Sequence, residues 1–494
     1  MMKSTRRGLV VVLLLSLAAA ACSNSGSDNS KASSTASSTA SPATSSTASS
    51  TASSTASSTA SSTASSTASP TATAAGATTT NTPSQRDTKL AISGVKGVSD
   101  TEIKVTSIST LTQNPLGTNI SNAYNDGINT YFAWRNDEGG IYGRKLVLAN
   151  KRDDQLVKND EQAQAMISED DTFAAFVSTL LFTGATTLDA AGVPTFGWNI
   201  HPEFGGKRNL FGNVAPGCSD CTSPAGAYIA KQLGVTKIGV IAYGTSENSK
   251  NAGLNNKLGI DQYGPSVNGA QVVYFNNNLP FGLGGGVAPQ VSEMKSKGVQ
   301  LILSSIDING MKVLGDELKK QGMDDVVMVH PNTYNADFVA ANAAIFDGDI
   351  VTTGFVPFEA KIDSELQRKF FEYTDKLSIK REELTLVGFL NANLLFTGLL
   401  AAGPQFDRAK VVDSLRNIHA YTADGLSQPI DWGRQIALPT KDNLASAYDQ
   451  VCLAAVQVKG GVFVQWSGTE GKPWLCWPQN LASYAEPTIE SFTP

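Results

Sequence analysis

Five cysteines, three histidines and two short Ser- or Gly-rich runs are the features of this 494-residue sequence whose types and spacing bear on chemistry. Cys218 and Cys221 have the spacing of a redox pair, but thioredoxin-type pairs open a helix directly after a strand. Here Gly217 and the flanking Pro216 and Pro224 mark a loop, which favours a structural disulfide. With Cys452 and Cys476, four thiols of an exported chain allow three connectivities, and local spacing favours Cys218–Cys221 with Cys452–Cys476. His201, His330 and His419 are scattered without ligand spacing, so no metal site is expected, and no Ser/His/Asp arrangement is visible. His201 and His330 remain candidates for hydrogen bonding in a cleft. Ser292-Glu293-Met294-Lys295 fits the SxxK of penicillin-binding enzymes, but it falls inside a helical run without an SDN or KTG partner and reads as a solvated helix face. Gly282-Leu283-Gly284-Gly285-Gly286 lacks the Lys-Ser/Thr ending and the spacing of a phosphate-cradling loop, and reads as a connector. These residues carry no nucleophile–base constellation and no cofactor motif, so neither an enzyme nor a cofactor is expected.

Length and charge narrow the rest. A chain with 41% hydrophobic residues is long enough for a large core, but one domain rarely grows to 494 residues, so two or more lobes are expected. The 38 basic side chains against 44 acidic ones give a formal charge of −6, which offers no footprint for a nucleic acid. Lys3, Arg6 and Arg7 precede the apolar run Leu9 to Leu17, too short to span a bilayer comfortably but suited to a signal peptide, residues 1–21. Ala19-Ala20-Ala21-Cys22 resembles the lipobox of bacterial lipoproteins, with Ala19 where Leu is usual; it implies cleavage before Cys22 and acylation of its thiol. An ordinary signal-peptidase site is the alternative.

Between Cys22 and Leu90 no Leu, Ile, Val, Met or aromatic residue occurs, and much of the stretch repeats Ser-Ser-Thr-Ala. Residues 22–90 therefore read as a tether without a core, spanning on the order of 40–50 Å root-mean-square and open to O-glycosylation.

From Ile103 the sequence alternates strand and helix. IKVTSI (103–108) reads as a strand, and Ile120, Tyr124, Ile128 and Phe132 recur at helical spacing. Gly139 and Gly140 stop that helix, because glycine accepts the left-handed conformation of a C-cap, and IYGRKLVLA (141–149) begins a strand. Further helices are expected at 157–168, 183–191, 223–233, 251–262, 287–297, 309–321 and 335–344. Strands are expected at 173–178, 194–198, 237–242, 271–275, 300–304, 325–330 and 349–354. Such alternation requires right-handed crossovers and parallel sheets, an α/β fold. Helices 363–377, 384–402 and 408–417 follow, then strand-like pieces near 427–432, 451–457 and 461–466.

GVSDTEIKVTSIST, AYNDGINTYFAWRNDEGGIYGRKLVLANKRDD and GVAPQVSEMKSKGVQLILSS together resemble the leucine/isoleucine/valine-binding branch of the type 1 periplasmic binding fold, the solute receptors of ABC importers. The likeness runs from about Gly97 to Trp466. It implies two Rossmann-like lobes with parallel sheets, residues 97–220 plus 356–422 and residues 221–355 plus 423–490. Three crossovers, near 214–222, 354–358 and 420–435, would join them as a hinge. It also implies a monomer that captures a small-molecule solute on the outer side of the membrane, held there by the Cys22 lipid, and hands it to an ABC permease. A tethered sensor with the same hinge is the alternative.

In parallel α/β sheets ligands bind beyond the carboxyl ends of the strands, where helix N-termini present free N–H groups. That edge carries Leu181, Phe182 and Thr183 after one strand and Trp198, Asn199 and Ile200 after another. In the second lobe it carries Tyr243, Glu247, Asp307, Asn332 and Tyr334, with Phe358 in a crossover. In the similar proteins the first-lobe loops hold a ligand carboxylate through backbone amides and a hydroxyl, here Thr183, with Phe182 where serine is common. An acidic residue for the ligand's ammonium would stand where this chain has Asn332, with Asp307 or Glu247 as substitutes. Phe182, Trp198 and Tyr334 would form a slot for an aromatic or amide-bearing molecule; core packing is the alternative for each. The expected ligand is small and polar or amino-acid-like.

Overall fold

Ile103, Val105 and Ile108 lie fully buried on β1 (Glu102–Ser109), which pairs in parallel with β2 (Lys145–Asp153) on one side and β3 (Ala174–Ser178) on the other. β4 (Thr195–Gly197) and β5 (Leu210–Gly212) extend this sheet in the order β2-β1-β3-β4-β5. The computed structural model describes residues 86–114, 120–214, 221–434 and 448–493, all within one compact unit, Thr73–Pro494. The signal peptide, Cys22, most of the tether and Cys218 lie outside the described residues, as does most of the crossover near 214–222.

α1 (Ile120–Asp137) ends where the sequence stops it, with Gly139 and Gly140 at φ +98° and +75°. The basic residue beyond has a structural task. Arg144 is buried and donates to the carbonyls of Ser99 (2.7 Å), Leu90 (3.0 Å) and Tyr142 (3.1 Å). Asn136 exchanges two hydrogen bonds with the Leu146 backbone, so its amide extends β2 by imitation. α2 (Asn159–Glu169) and α3 (Ala185–Ala190) complete the crossovers of this sheet.

The second sheet runs β14-β13-β11-β10-β9-β8-β6-β7, with β12 paired to β11. Its parallel strands are β6 (Lys237–Tyr243), β7 (Gln271–Leu279), β8 (Leu301–Ser305), β9 (Val327–His330) and β10 (Ile350–Thr353). The helices between and before them are α4 (Ala225–Leu233), α5 (Glu247–Val267), α6 (Ala288–Lys297), α7 (Ile308–Lys320), α8 (Ala336–Ala341) and α9 (Ala343–Phe346). The helix expected over 335–344 is thus two short ones. β11 (Gln450–Lys459), β12 (Val462–Gln465), β13 (Trp474–Pro478) and β14 (Thr488–Glu490) add an antiparallel edge. Cys452 faces Cys476 across β11 and β13, with Cα atoms 4.1 Å apart, and the two form the expected disulfide; Cys221 is also disulfide-bonded.

The strand expected near 427–432 does not form. Pro429 has no N–H for a ladder, and the stretch makes only a single bridge, Tyr421 to Ile430. Its Trp432 packs edge-on against Phe211 of the first sheet at 5.6 Å.

α10 (Glu365–Leu377), α11 (Glu383–Ala402) and α12 (Arg408–Arg416) return to the first sheet, and α11 packs along α1. α11 is long and apolar enough to cross a membrane by composition, yet nearly every side chain is buried within the fold, which marks a core helix. Two glycines set its distance from α1. A Cβ at Gly127 would lie 1.9 Å from the Thr385 carbonyl oxygen, and one at Gly388 would lie 2.0 Å from that of Tyr124.

Candidate ligand-binding site

A cavity of about 780 Å³ opens where the carboxyl ends of the two sheets face each other. The first sheet supplies Leu156 beyond β2, Leu180 and Leu181 beyond β3, and Trp198, Ile200 and His201 beyond β4. The second supplies, among others, Tyr243, Ser246 and Asn248 beyond β6, Phe281 beyond β7, Asp307 beyond β8 and Asn332, Tyr334 and Asn335 beyond β9. Glu382, Glu383 and Leu384 enter from the start of α11.

Of the twelve residues picked from sequence, the structure brings seven to this wall: Leu181, Trp198, Ile200, Tyr243, Asp307, Asn332 and Tyr334. The other five point elsewhere. Phe182 is buried against Phe204, ring centroids 5.0 Å apart, because the loop after β3 turns it into the core while Leu181 stays exposed at the cavity. Thr183 is exposed and its hydroxyl accepts from the Asp160 N–H at 3.2 Å. Asn199 is buried and donates to the Val214 carbonyl at 2.7 Å. Glu247 is turned to solvent and pairs with Lys250 at 3.0 Å. Phe358 packs among Tyr334, Phe355, Phe370 and Phe371.

Leu156, Phe281 and Glu382 to Leu384 were not foreseen. The strand-end rule reaches the first two, since both follow strands. Nothing local marks the start of α11 as a cavity wall. Leu156 has φ +72° and Gln155 φ +48°, a left-handed pair held by Asp153 and Asp154, which accept from the N–H groups of Gln155 and Leu156. Such strain beside a cavity is common where a loop must be aimed.

His201 is buried, with Nε2 2.8 Å from the Thr179 carbonyl, which can only accept; Nε2 therefore carries the proton. Burial holds its pKa down, so the ring is neutral and Nδ1 is an acceptor. Tyr243 donates its hydroxyl to Asp307, and burial followed by that carboxylate's charge pushes the phenol up. Asp307 also caps α7, accepting from Asn309 N–H at 2.9 Å. Burial raises the Glu382 carboxyl and pushes Glu383 up to about 8. Beneath the β9 loop, His330 bridges Thr333 (3.1 Å) and Asp349 (2.9 Å), so it supports the wall without lining it.

Tyr334 links three parts of the molecule. Its hydroxyl donates to Glu359 at 2.5 Å and accepts from the Phe358 N–H at 2.6 Å, both at the crossover expected near 354–358. Its carbonyl accepts from the Glu383 N–H at 3.3 Å.

With two facing α/β sheets and a cavity at their carboxyl ends, the chain belongs to the periplasmic binding protein family, whose model matches residues 102–461. This is a family of extracytoplasmic solute-binding proteins, not a class of enzymes. The chain is similar to a fatty acid ABC transporter substrate-binding protein from Thermomonospora curvata, at 18% identity over 82% of this chain and 100% of that one, TM-score 0.56. It is also similar to a branched-chain amino acid ABC transporter protein from Thermus thermophilus with bound valine, at 15% identity over 80% and 97% of the two chains, TM-score 0.55. A solute-binding protein from R. palustris in complex with benzoate matches at 14% identity over 80% and 98%, TM-score 0.55. No curated protein matches the chain. The type 1 periplasmic binding fold and the likeness to leucine-binding receptors, both expected from the sequence, are borne out.

Proposed function

We propose that this protein is a monomeric extracytoplasmic receptor of an ABC importer, anchored through an acylated Cys22 and carried away from the membrane by the Ser/Thr/Ala tether. It captures a small molecule between its lobes and delivers it unchanged to a permease. The observation that carries this reading is the cavity of about 780 Å³ with walls from both sheets, because a ligand touching both lobes favours the closed state that an importer reads. Its size suits a small organic metabolite, and Trp198, Tyr243, Phe281 and Tyr334 provide flat apolar surface for an amino-acid-like, aromatic or amide-bearing solute. A few hydrogen bonds with such burial suffice for a micromolar dissociation constant, about −8 kcal/mol. The test is a thermal-shift screen of the folded chain against amino acids, amides, amines and aromatic acids, followed by uptake assays in a deletion strain. A screen without any stabilising compound, or accumulation of a converted product, would sink the proposal.

A further inference from the structure

Sorted by element, the cavity's side chains are asymmetric. The loops beyond the first sheet's strands supply Leu156, Leu180, Leu181, Trp198, Ile200 and the neutral ring of His201. Every carboxyl group of the lining lies away from those loops: Asp307 beyond β8 of the second sheet, Glu382 and Glu383 at the start of α11. No Lys or Arg is among the described lining residues. The adjoining Lys380 and Arg381 lie beyond the lining and are paired with Asp337 and Asp375.

Helix N-termini at the same edge would ordinarily favour an anion. Three of them are already occupied by their own caps. Ser246 accepts from Ser249 N–H on α5, Asp307 from Asn309 N–H on α7 and Asn335 from Phe338 N–H on α8. Asp307 is further engaged by Tyr243, and Glu382 by Asn335. Glu383 differs. Its carboxyl is met by the Tyr334 backbone N–H and by no described basic side chain.

We propose that the cavity selects an ammonium group on an apolar body, with the hydrocarbon against the loops beyond the first sheet's strands and the ammonium at Glu383, flanked by Glu382 and Asp307. This rests on the receptor reading and departs from the expectation drawn from the sequence in one respect: no carboxylate is held by the first-lobe amides. Calorimetry on the folded chain at about pH 7 with 3-phenylpropylamine, 3-phenylpropanamide and 3-phenylpropanoate separates the charge of the head from the body. The amine is expected to bind at least about tenfold more tightly than the carboxylate, and Glu383→Gln to lose about tenfold for the amine while leaving the amide nearly unchanged. Because Glu383 holds a proton in the empty cavity, amine binding should also release up to about one proton, read from heats in buffers of different ionisation enthalpy. The variant should abolish that release. Should the variant fold poorly, the ranking of the three probes on the unaltered protein decides by itself. Preference for the carboxylate overturns the ammonium assignment and leaves the receptor intact, as does an anionic hit from the metabolite screen. Binding of none of the three probes overturns the assignment too, and only an empty screen takes the receptor reading with it.

Discussion

At the start of α11 the Glu383 carboxyl is raised by burial from the usual range near 4 to about 8. In this window the folded state holds a proton that the unfolded chain has released, so stability falls as pH rises from roughly 4 to 8 and levels off above. Glu383→Gln cannot lose that proton. The difference in melting temperature between the unaltered protein and this variant should therefore shrink or change sign from pH 5 to 8, and a difference flat with pH would show that Glu383 is already ionised at the lower end. Neighbouring positions separate wall from support. Trp198→Ala and Asn332→Ala should each weaken binding of any ligand found by screening at least about tenfold, or 1.4 kcal/mol, without unfolding the chain. Thr183→Ala should change it less than about twofold, since this exposed hydroxyl caps Asp160 outside the cavity; a titration in which Thr183→Ala costs more than Trp198→Ala would contradict that placement. Strand-end reasoning found Trp198, Tyr243, Asp307, Asn332 and Tyr334 because their positions follow from strand ends alone. It missed on Phe182 and Asn199 because the path of the loop beyond a strand, which the strand's periodicity does not set, decides whether a side chain faces the cavity or the core, and on Glu383 because its position depends on helix packing far along the chain.

The α1–α11 contact shows what the sequence conceals between elements. The helical spacing of Ile120, Tyr124, Ile128 and Phe132 announces α1, and the all-round apolar character of α11 announces a buried helix. Nothing in either run tells that Gly127 and Gly388 are the points where backbone meets backbone. Adding a Cβ at 1.9–2.0 Å from a carbonyl oxygen forces the helices apart, so Gly388→Ala should cost about 1–3 kcal/mol, measured by denaturant unfolding. An unchanged midpoint would mean that the helices can separate freely. The antiparallel edge makes a second case. β13 and β14 escaped notice because they are short and lie beyond the region of parallel alternation, while the Cys452–Cys476 pair they support was legible from spacing. The disulfide closes a sequence separation of 24 residues, so the double variant Cys452→Ser/Cys476→Ser should cost about 2–4 kcal/mol relative to the unaltered protein by the same measurement.

Contacts of unequal weight tie together the elements around the cavity. Lys380–Asp337 joins α8 to the approach of α11, but both partners are largely solvated, with side-chain exposures of 72% and 71%, and such pairs contribute at most about 1 kcal/mol. Tyr334 is different in kind. It lines the cavity, its hydroxyl is bound on both sides at the 354–358 crossover, and its carbonyl takes the Glu383 N–H, so cavity loop, crossover and α11 share one side chain and its peptide. Removing the hydroxyl leaves the Phe358 N–H and the half-buried Glu359 carboxyl without that partner, while the ring still fills its place among Phe355, Phe358 and Phe463. Tyr334→Phe should therefore preserve the fold but loosen the coupling between ligand and crossover. The expected result is ligand affinity weakened by about 5- to 30-fold, from a cost of 1–2 kcal/mol, together with a smaller ligand-induced contraction in small-angle scattering. Lys380→Ala should leave both nearly unchanged. If Tyr334→Phe contracts as fully as the unaltered protein, the hydroxyl only supports the wall, and closure must be carried by the ligand's own contacts with the two lobes.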